Sequence, residues 1–244
     1  MNTIKRILLT NKGKKFYVRD LSQDMHTQHG FVKKTLLKKK KGLVKTNTGE
    51  TMSIFEPRFI DAYNKIKRGA QIIPLKDIGI IVAETGINSR SKVVDAGAGS
   101  GALACFLANI VKSVVTYELR DDFAKIVKKN IDFLGLKNIK VKKKSIYDGI
   151  SEKNIDLITL DLPEPWLAIE PAAQSLKAGG FLVSYSPTTP QVSDFVSAVK
   201  KNKSFVYLKT IEIIEREWEF SDRKIRPKSQ PIGHSGFLSF ARKV

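Results

Sequence analysis

The sequence predicts an α/β protein: a parallel, doubly wound sheet with an antiparallel pair of strands at its edge, preceded by a small β domain. Three observations predict it. From Gln71 onward, short apolar runs rich in β-branched residues alternate with segments of helical spacing, the pattern of repeated βα units. Two late runs, 205–214 and 234–241, are separated by a polar stretch with no helix in it, so they pair antiparallel. Residues 1–69 instead read as short strands broken by turns.

In the first domain, 1–69, residues 4–9 are apolar, 11–14 form a turn and 15–18 alternate. A second turn at 46–50 precedes a run at 51–55. The set suggests a small β-barrel or sandwich. The lysine run 38–41 is placed at an exposed loop or edge, where it blocks strand addition and attracts phosphates. Helical spacing over 57–68 (Phe59, Ile60, Tyr63, Ile66) leads into the second domain, 70–244.

There, 77–84 reads as a short amphipathic helix ending near Gly86, and 93–95 as the first strand, ending on Asp95. A helix over 101–111 and a strand over 113–118, ending on Glu118, follow. Asp121 or Asp122 caps a helix that runs to Leu134 and stops at Gly135. Strands come next at 139–141 and at 155–160, the latter leading into Asp161. Residues 165–175 are largely helical, Gly179-Gly180 is a turn, 181–185 a strand and 192–202 a helix. No internal repeat is visible.

Composition excludes several classes. The 244 residues are 42% hydrophobic, enough for a core, yet no run of about 18 apolar residues offers a membrane span. The first six residues lack the apolar core of a secretory signal. A single Cys105 makes no internal disulfide and fits a reducing cytoplasm. With three histidines, it makes a structural zinc site improbable, and no metal is expected. The net charge of +19 points to a polyanionic partner, most simply nucleic acid. Residues 1–69 hold 17 basic and 5 acidic side chains (+12), against 26 and 19 (+7) in 70–244.

Residues 92–101, Lys-Val-Val-Asp-Ala-Gly-Ala-Gly-Ser-Gly, join strand to helix through Gly97, Gly99 and Gly101. Such a turn lets a ligand approach bare main chain. Its G-x-G-x-G spacing differs from the G-x-G-x-x-G of dinucleotide sites, and no GKS or GKT phosphate loop occurs. Glu118, 23 residues after Asp95, stands where a carboxylate accepts both ribose hydroxyls of an adenosine. A ribose without a pyrophosphate favours S-adenosylmethionine (SAM). Ligands of open α/β sheets bind at the carboxyl ends of the strands, where Asp161 is placed. Prolines stiffen the following loop, Leu162-Pro163-Glu164-Pro165-Trp166. An acid, a rigid turn and an aromatic suit a flat base with an exocyclic amine. Asp161 can accept from that amine or from the cofactor's ammonium; Trp166 either stacks or packs.

These residues carry a specific resemblance. The chain resembles the archaeal and bacterial tRNA (adenine-N1)-methyltransferases that modify the T-loop. The likeness includes His26-Thr27-Gln28-His29-Gly30, the block 68–86, the glycine turn through Leu103, and 117–123. It continues through Ile146-Tyr147-Asp148-Gly149-Ile150, Asp161-Leu162-Pro163-Glu164-Pro165, Arg226-Pro227 and Gly233-His234-Ser235-Gly236-Phe237-Leu238. The resemblance implies a Rossmann-like class I SAM-dependent methyltransferase fold with a small N-terminal β-barrel domain. It implies SAM contacts from Gln71, Gly97, Gly99, Ser100, Gly101, Leu103, Glu118, Ser145, Ile146 and Asp161, with Asp161 as the active-site carboxylate. Trp166, Arg226 and His234 fall on the substrate side, although His234 reads better as a hydrogen-bonded residue at a strand start than as a base. A homotetramer, and adenine 57 or 58 of tRNA as target, are also implied. Ser145 stands where the family often has aspartate, and the proline ahead of Lys76-Asp77 is shifted by one position. Two rival readings are an N6-adenine RNA methyltransferase, disfavoured by Leu162 and Glu164 in the loop, and a non-catalytic tRNA-binding subunit, disfavoured by the intact glycine turn.

Overall fold

The structure, a computed structural model, describes residues 3–69, 71–221, 223–230 and 232–244. The chain forms two units: Met1–Ile66 with Asp132–Gly135, and Lys67–Ile131 with Leu136–Val244.

The first unit contains β1 (Arg6–Thr10), β2 (Lys15–Val18), β3 (Met25–Thr27), β4 (Gly30–Val32), the single turn α1 (Lys34–Leu37), β5 (Lys41–Lys45), β6 (Thr51–Phe55) and α2 (Phe59–Tyr63). An antiparallel four-stranded sheet runs β2-β1-β6-β5, and β3-β4 form a separate hairpin. Burial in β6 alternates residue by residue, so Met52 and Ile54 join Leu8, Val18, Val32, Leu37 and Val44 in one core. The small β domain expected from the sequence is present. Among the described residues its sheet ends at β2 and β5 and does not close into a barrel. The reason lies in β5, which buries only Val44 and shows solvent its lysines.

The second unit contains α3 (Leu75–Thr85), β7 (Lys92–Ala96), α4 (Ala102–Ala108), β8 (Ser113–Tyr117), α5 (Asp121–Leu134), β9 (Ile139–Lys142) and β10 (Ile155–Leu160). After a 3-10 turn at Pro165–Ala168 come α6 (Ile169–Ser175), β11 (Leu176–Ser186), α7 (Thr189–Lys201), β12 (Phe205–Glu212), β13 (Trp218–Ser221), β14 (Lys224–Pro227) and β15 (Phe237–Lys243). Seven strands form a sheet in the order β12-β15-β11-β10-β7-β8-β9. β7 to β11 are parallel, and β15 runs antiparallel to both β11 and β12. This is the Rossmann-like class expected from the sequence. Successive residues of the inner strands sort into two layers: Val94, Ile158 and Leu182 into one core, Val93, Leu157 and Val183 into the other.

Two elements differ from the sequence reading. Gly179 and Gly180 lie inside β11. Leu176 pairs with Ile155 and pairing resumes only at Phe181 with Leu157, so the glycines sit in a bulge. The polar stretch after β12 holds the β13-β14 hairpin.

Candidate active site

The sheet register places three side chains at one level. Asp95 of β7 is flanked by Thr116 of β8 and Thr159 of β10. Thr116 Oγ1 donates to Asp95 Oδ2 at 2.7 Å and Thr159 Oγ1 to Oδ1 at 2.8 Å. Burial raises the Asp95 carboxyl above its ordinary pKa, and the two hydroxyls oppose that rise. Neither threonine stands out in the sequence, because their meeting depends on register between strands distant along the chain.

Beyond β7 the backbone turns over the sheet edge. Gly97 has φ +81°, and a Cβ there would overlap the Asp161 carbonyl oxygen. The Asp161 N–H donates to the Ala96 carbonyl at 2.8 Å, which ties the β10 tip to the glycine turn. Glu118, buried at the end of β8, accepts from Gly99 N–H on Oε2 and from Arg120 N–H on Oε1, both at 2.9 Å. Gly101, at φ +77°, opens α4 and would press a Cβ to 2.8 Å from Val127 Cγ1.

These elements border a cavity of about 560 Å³, within the range of small-molecule sites. Gln71, Gly97, Gly99, Glu118, Ser145, Ile146 and Asp161 line it. A small recess that shares Gln71, Gly97, Gly99 and Asp161 adds Asp95, Ser100 and Leu103. Every residue singled out for the cofactor except Gly101 lines one of the two. The Ser145 hydroxyl accepts from Tyr147 N–H at 3.2 Å. The sequence reading missed Leu119, Arg120, Phe123 and Tyr147, which also face the cavity. The Arg120 guanidinium lies 4.2 Å from the Phe123 ring centroid. Burial first, then the Asp95 charge, pushes the Asp161 carboxyl up to about 7. The Ser100 hydroxyl is buried with no hydrogen-bond partner among the described residues. An orphaned hydroxyl in a recess beside bare glycine backbone fits a small polar ligand head.

Residues 64–232 match the family model described as tRNA methyltransferase complex GCD14 subunit. The chain belongs to this family. Among curated relatives of the GCD14 family member, the tRNA (adenine(57)-N(1)/adenine(58)-N(1))-methyltransferase TrmI of Methanocaldococcus jannaschii is 33% identical over 97% of this chain and 94% of its own. Two solved structures are similar. A SAM-dependent O-methyltransferase of Thermotoga maritima superposes with a TM-score of 0.86 at 28% identity, over 100% of this chain and 94% of that one. The tRNA (m1A58) methyltransferase TrmI of Aquifex aeolicus gives 0.80 at 25%, over 98% and 96%.

The remaining expected residues of this GCD14-family chain lie away from the cavity lining. Trp166, in the 3-10 turn, packs partly buried against the core that contains Ile158 and Phe195. Of the two roles open to it, packing is the one the structure supplies. Arg226 of β14 pairs with Glu219 of β13 at 3.3 Å. Both His234 nitrogens face acceptors, Nδ1 to Glu212 Oε1 at 2.6 Å and Nε2 to the Pro187 carbonyl at 2.8 Å. The Glu212 bond, then the Pro187 carbonyl, holds the imidazole above its ordinary pKa, as befits a structural donor rather than a free base.

One half-buried lysine closes the base of the β13-β14 excursion. Lys76 Nζ donates to Asp77 Oδ1 at 2.9 Å, to the Ile213 carbonyl at 2.7 Å and to Ser235 Oγ at 2.7 Å. Ser235 Oγ donates in turn to Asp77 Oδ2 at 3.0 Å. The sequence motifs Lys76-Asp77 and Gly233–Gly236 thus meet.

Proposed function

We propose that the chain transfers a methyl group from SAM to N1 of an adenine in the tRNA T-loop, at position 57 or 58. The observation that carries it is the placement of Asp161: a carboxylate at a strand tip, bonded by its own backbone to the glycine turn and open to the cavity. The nearly full-length likeness to the M. jannaschii enzyme supports the same reading.

Gln71, Ser100 and the Gly97–Gly101 turn, with Leu103 beneath it, would hold the amino-acid end of SAM, Glu118 its ribose, and Ser145 and Ile146 its adenine. Bound SAM supplies an electrophilic methyl on a sulfonium. The N1 lone pair of adenine lies in the ring plane, so no strong base is needed. Asp161 orients the base by accepting from its N6 amine, and its negative charge offsets the positive charge that develops on the ring. T-loop N1 is buried in folded tRNA, and extruding the base costs a few kcal/mol. Basic side chains of the front domain, 1–69, and Arg226 would help to offset this by meeting the phosphate backbone.

The same proposal includes a cytoplasmic homotetramer. Among the described residues, no helix is long and apolar enough to cross a membrane. One face of the β13-β14 hairpin exposes Trp218, Phe220 and Ile225 at 52%, 73% and 61%, an unpartnered surface suited to a second copy.

The test is incubation with labelled SAM and tRNA transcripts that carry single T-loop adenine replacements, followed by nucleoside digestion. Label in 1-methyladenosine, lost only when adenine 57 or 58 is replaced, is the expected result. Label in N6-methyladenosine, or in no nucleoside, overturns it.

A further inference from the structure

Methyl transfer gives no role to the turn His26-Thr27-Gln28-His29-Gly30-Phe31 in the first unit. Its backbone is pinned from two sides. Thr27 Oγ1 donates to the Gly30 carbonyl at 2.8 Å and accepts from His29 N–H at 3.0 Å. From the turn between β5 and β6, Asn47 Oδ1 accepts from Phe31 N–H at 2.7 Å, and Asn47 N–H donates to the Phe31 carbonyl at 3.0 Å. Thr48 Oγ1 donates to the His29 carbonyl at 2.8 Å. Gly30, at φ +85°, leaves no room for a Cβ beside Asn47. A short exposed hairpin would otherwise be loose; this one is held as a preformed platform.

The platform presents flat rings and one cation. His26 lies 5.6 Å from the Phe31 ring at 40°, and His29 meets Phe16 edge-on at 6.1 Å. Lys14 Nζ lies 5.5 Å from the Phe16 centroid and donates to the Gln28 side-chain oxygen, Oε1. The Gln28 amide nitrogen is 3.0 Å from His29 Nε2. His26 is exposed, and Phe16, His29 and Phe31 are half-buried. The surrounding chain is rich in lysine: between Asp24 and Glu50 there are seven lysines and no other acid. Flat rings suit the face of a nucleobase, and a lysine-rich setting suits its phosphates.

We propose that this turn, with Lys14 and Phe16, is a docking surface for an unstacked nucleotide of RNA. This rests on the tRNA reading above, and the experiment separates the two. Binding of an unmodified labelled tRNA transcript is measured by anisotropy for the full chain, for the double variant His26→Ala/His29→Ala, and for His26→Phe/His29→Phe. Loss of stacking weakens the alanine variant by roughly ten-fold. It also raises KM for tRNA while kcat, SAM affinity and the thermal midpoint stay unchanged. The phenylalanine variant keeps the rings and binds like the parent. Crosslinks from a photoreactive unpaired nucleotide map within residues 26–31. If the parent chain binds tRNA and the alanine variant binds it equally well, or the phenylalanine variant loses as much as the alanine one, this proposal is overturned and the methyltransferase reading stands. If the parent chain binds no tRNA, both fall.

Discussion

Asp161 is where stability and chemistry conflict. Its folded pKa of about 7 lies above the ordinary carboxylate value, so the folded protein holds a proton that the unfolded chain has released. Stability therefore falls as pH rises from about 4 to 7. Asp161→Asn is expected to lose roughly 10²–10⁴ in turnover, the scale of one positioned group, yet to melt higher than the parent above pH 7. Paired calorimetric scans and single-turnover rates check both halves. In the parent, kcat/KM should climb with pH through about 7, because only the ionised carboxylate carries the negative charge that offsets the positive charge developing on the ring. Gly97→Ala forces a side chain into the Asp161 carbonyl at a positive φ, and calorimetry should find SAM binding abolished. Residues of this kind were legible in the sequence because their signals are local: an acid after an apolar run, a glycine inside a turn. Thr116 and Thr159 were not, since only strand register makes them partners of Asp95. Trp166 was ambiguous for the opposite reason. The loop chemistry left stacking and packing open, and the 3-10 turn lays the ring, partly buried, against the core.

At the scale of elements, the Lys76 clamp carries the largest expected effect. The Lys76 and Asp77 side chains are 9% and 1% exposed. Lys76→Met leaves the Asp77 charge buried and unpaired, which costs about 3–5 kcal/mol. A urea titration should show that loss, and Lys76→Met/Asp77→Leu should recover much of it, since removing both charges removes the unpaired one. The βα succession was readable because each element has its own period of apolar residues. The elements that escaped lack that signal. Three of the five residues of β5 are lysine or glycine, and it pairs only because β6 offers an edge. β13 and β14 bury almost nothing, so their alternation has no core to mark it. The double glycine resembled a turn, but β10 pairs with β11 at Leu176 before it and from Phe181 after it, which keeps the strand continuous through a bulge.

For the whole molecule, charge and one exposed face set the expectations. Association with tRNA should weaken steeply with salt, and neutralising Lys38–Lys41 to glutamine should flatten the log–log slope by about 0.9 for each lysine that touches a phosphate. Phe220→Glu, placed on the apolar face of the β13-β14 hairpin, should shift the mass measured by light scattering toward smaller species while SAM affinity is retained. The charge imbalance was legible from composition alone; the apolar face was not, because Trp218, Phe220 and Ile225 gather only when the two strands pair. The clamp beneath that hairpin has an engineering consequence. Lys76 fixes the chain at Ile213 and at Ser235, so the β13-β14 hairpin between them is a cassette with anchored ends. Doubling the length of such a closed segment costs only about 0.6 kcal/mol in chain entropy. The cassette is therefore a natural port for grafting a foreign recognition loop, or for exchanging hairpins between relatives to reset which copies assemble, without disturbing the sheet that carries the chemistry.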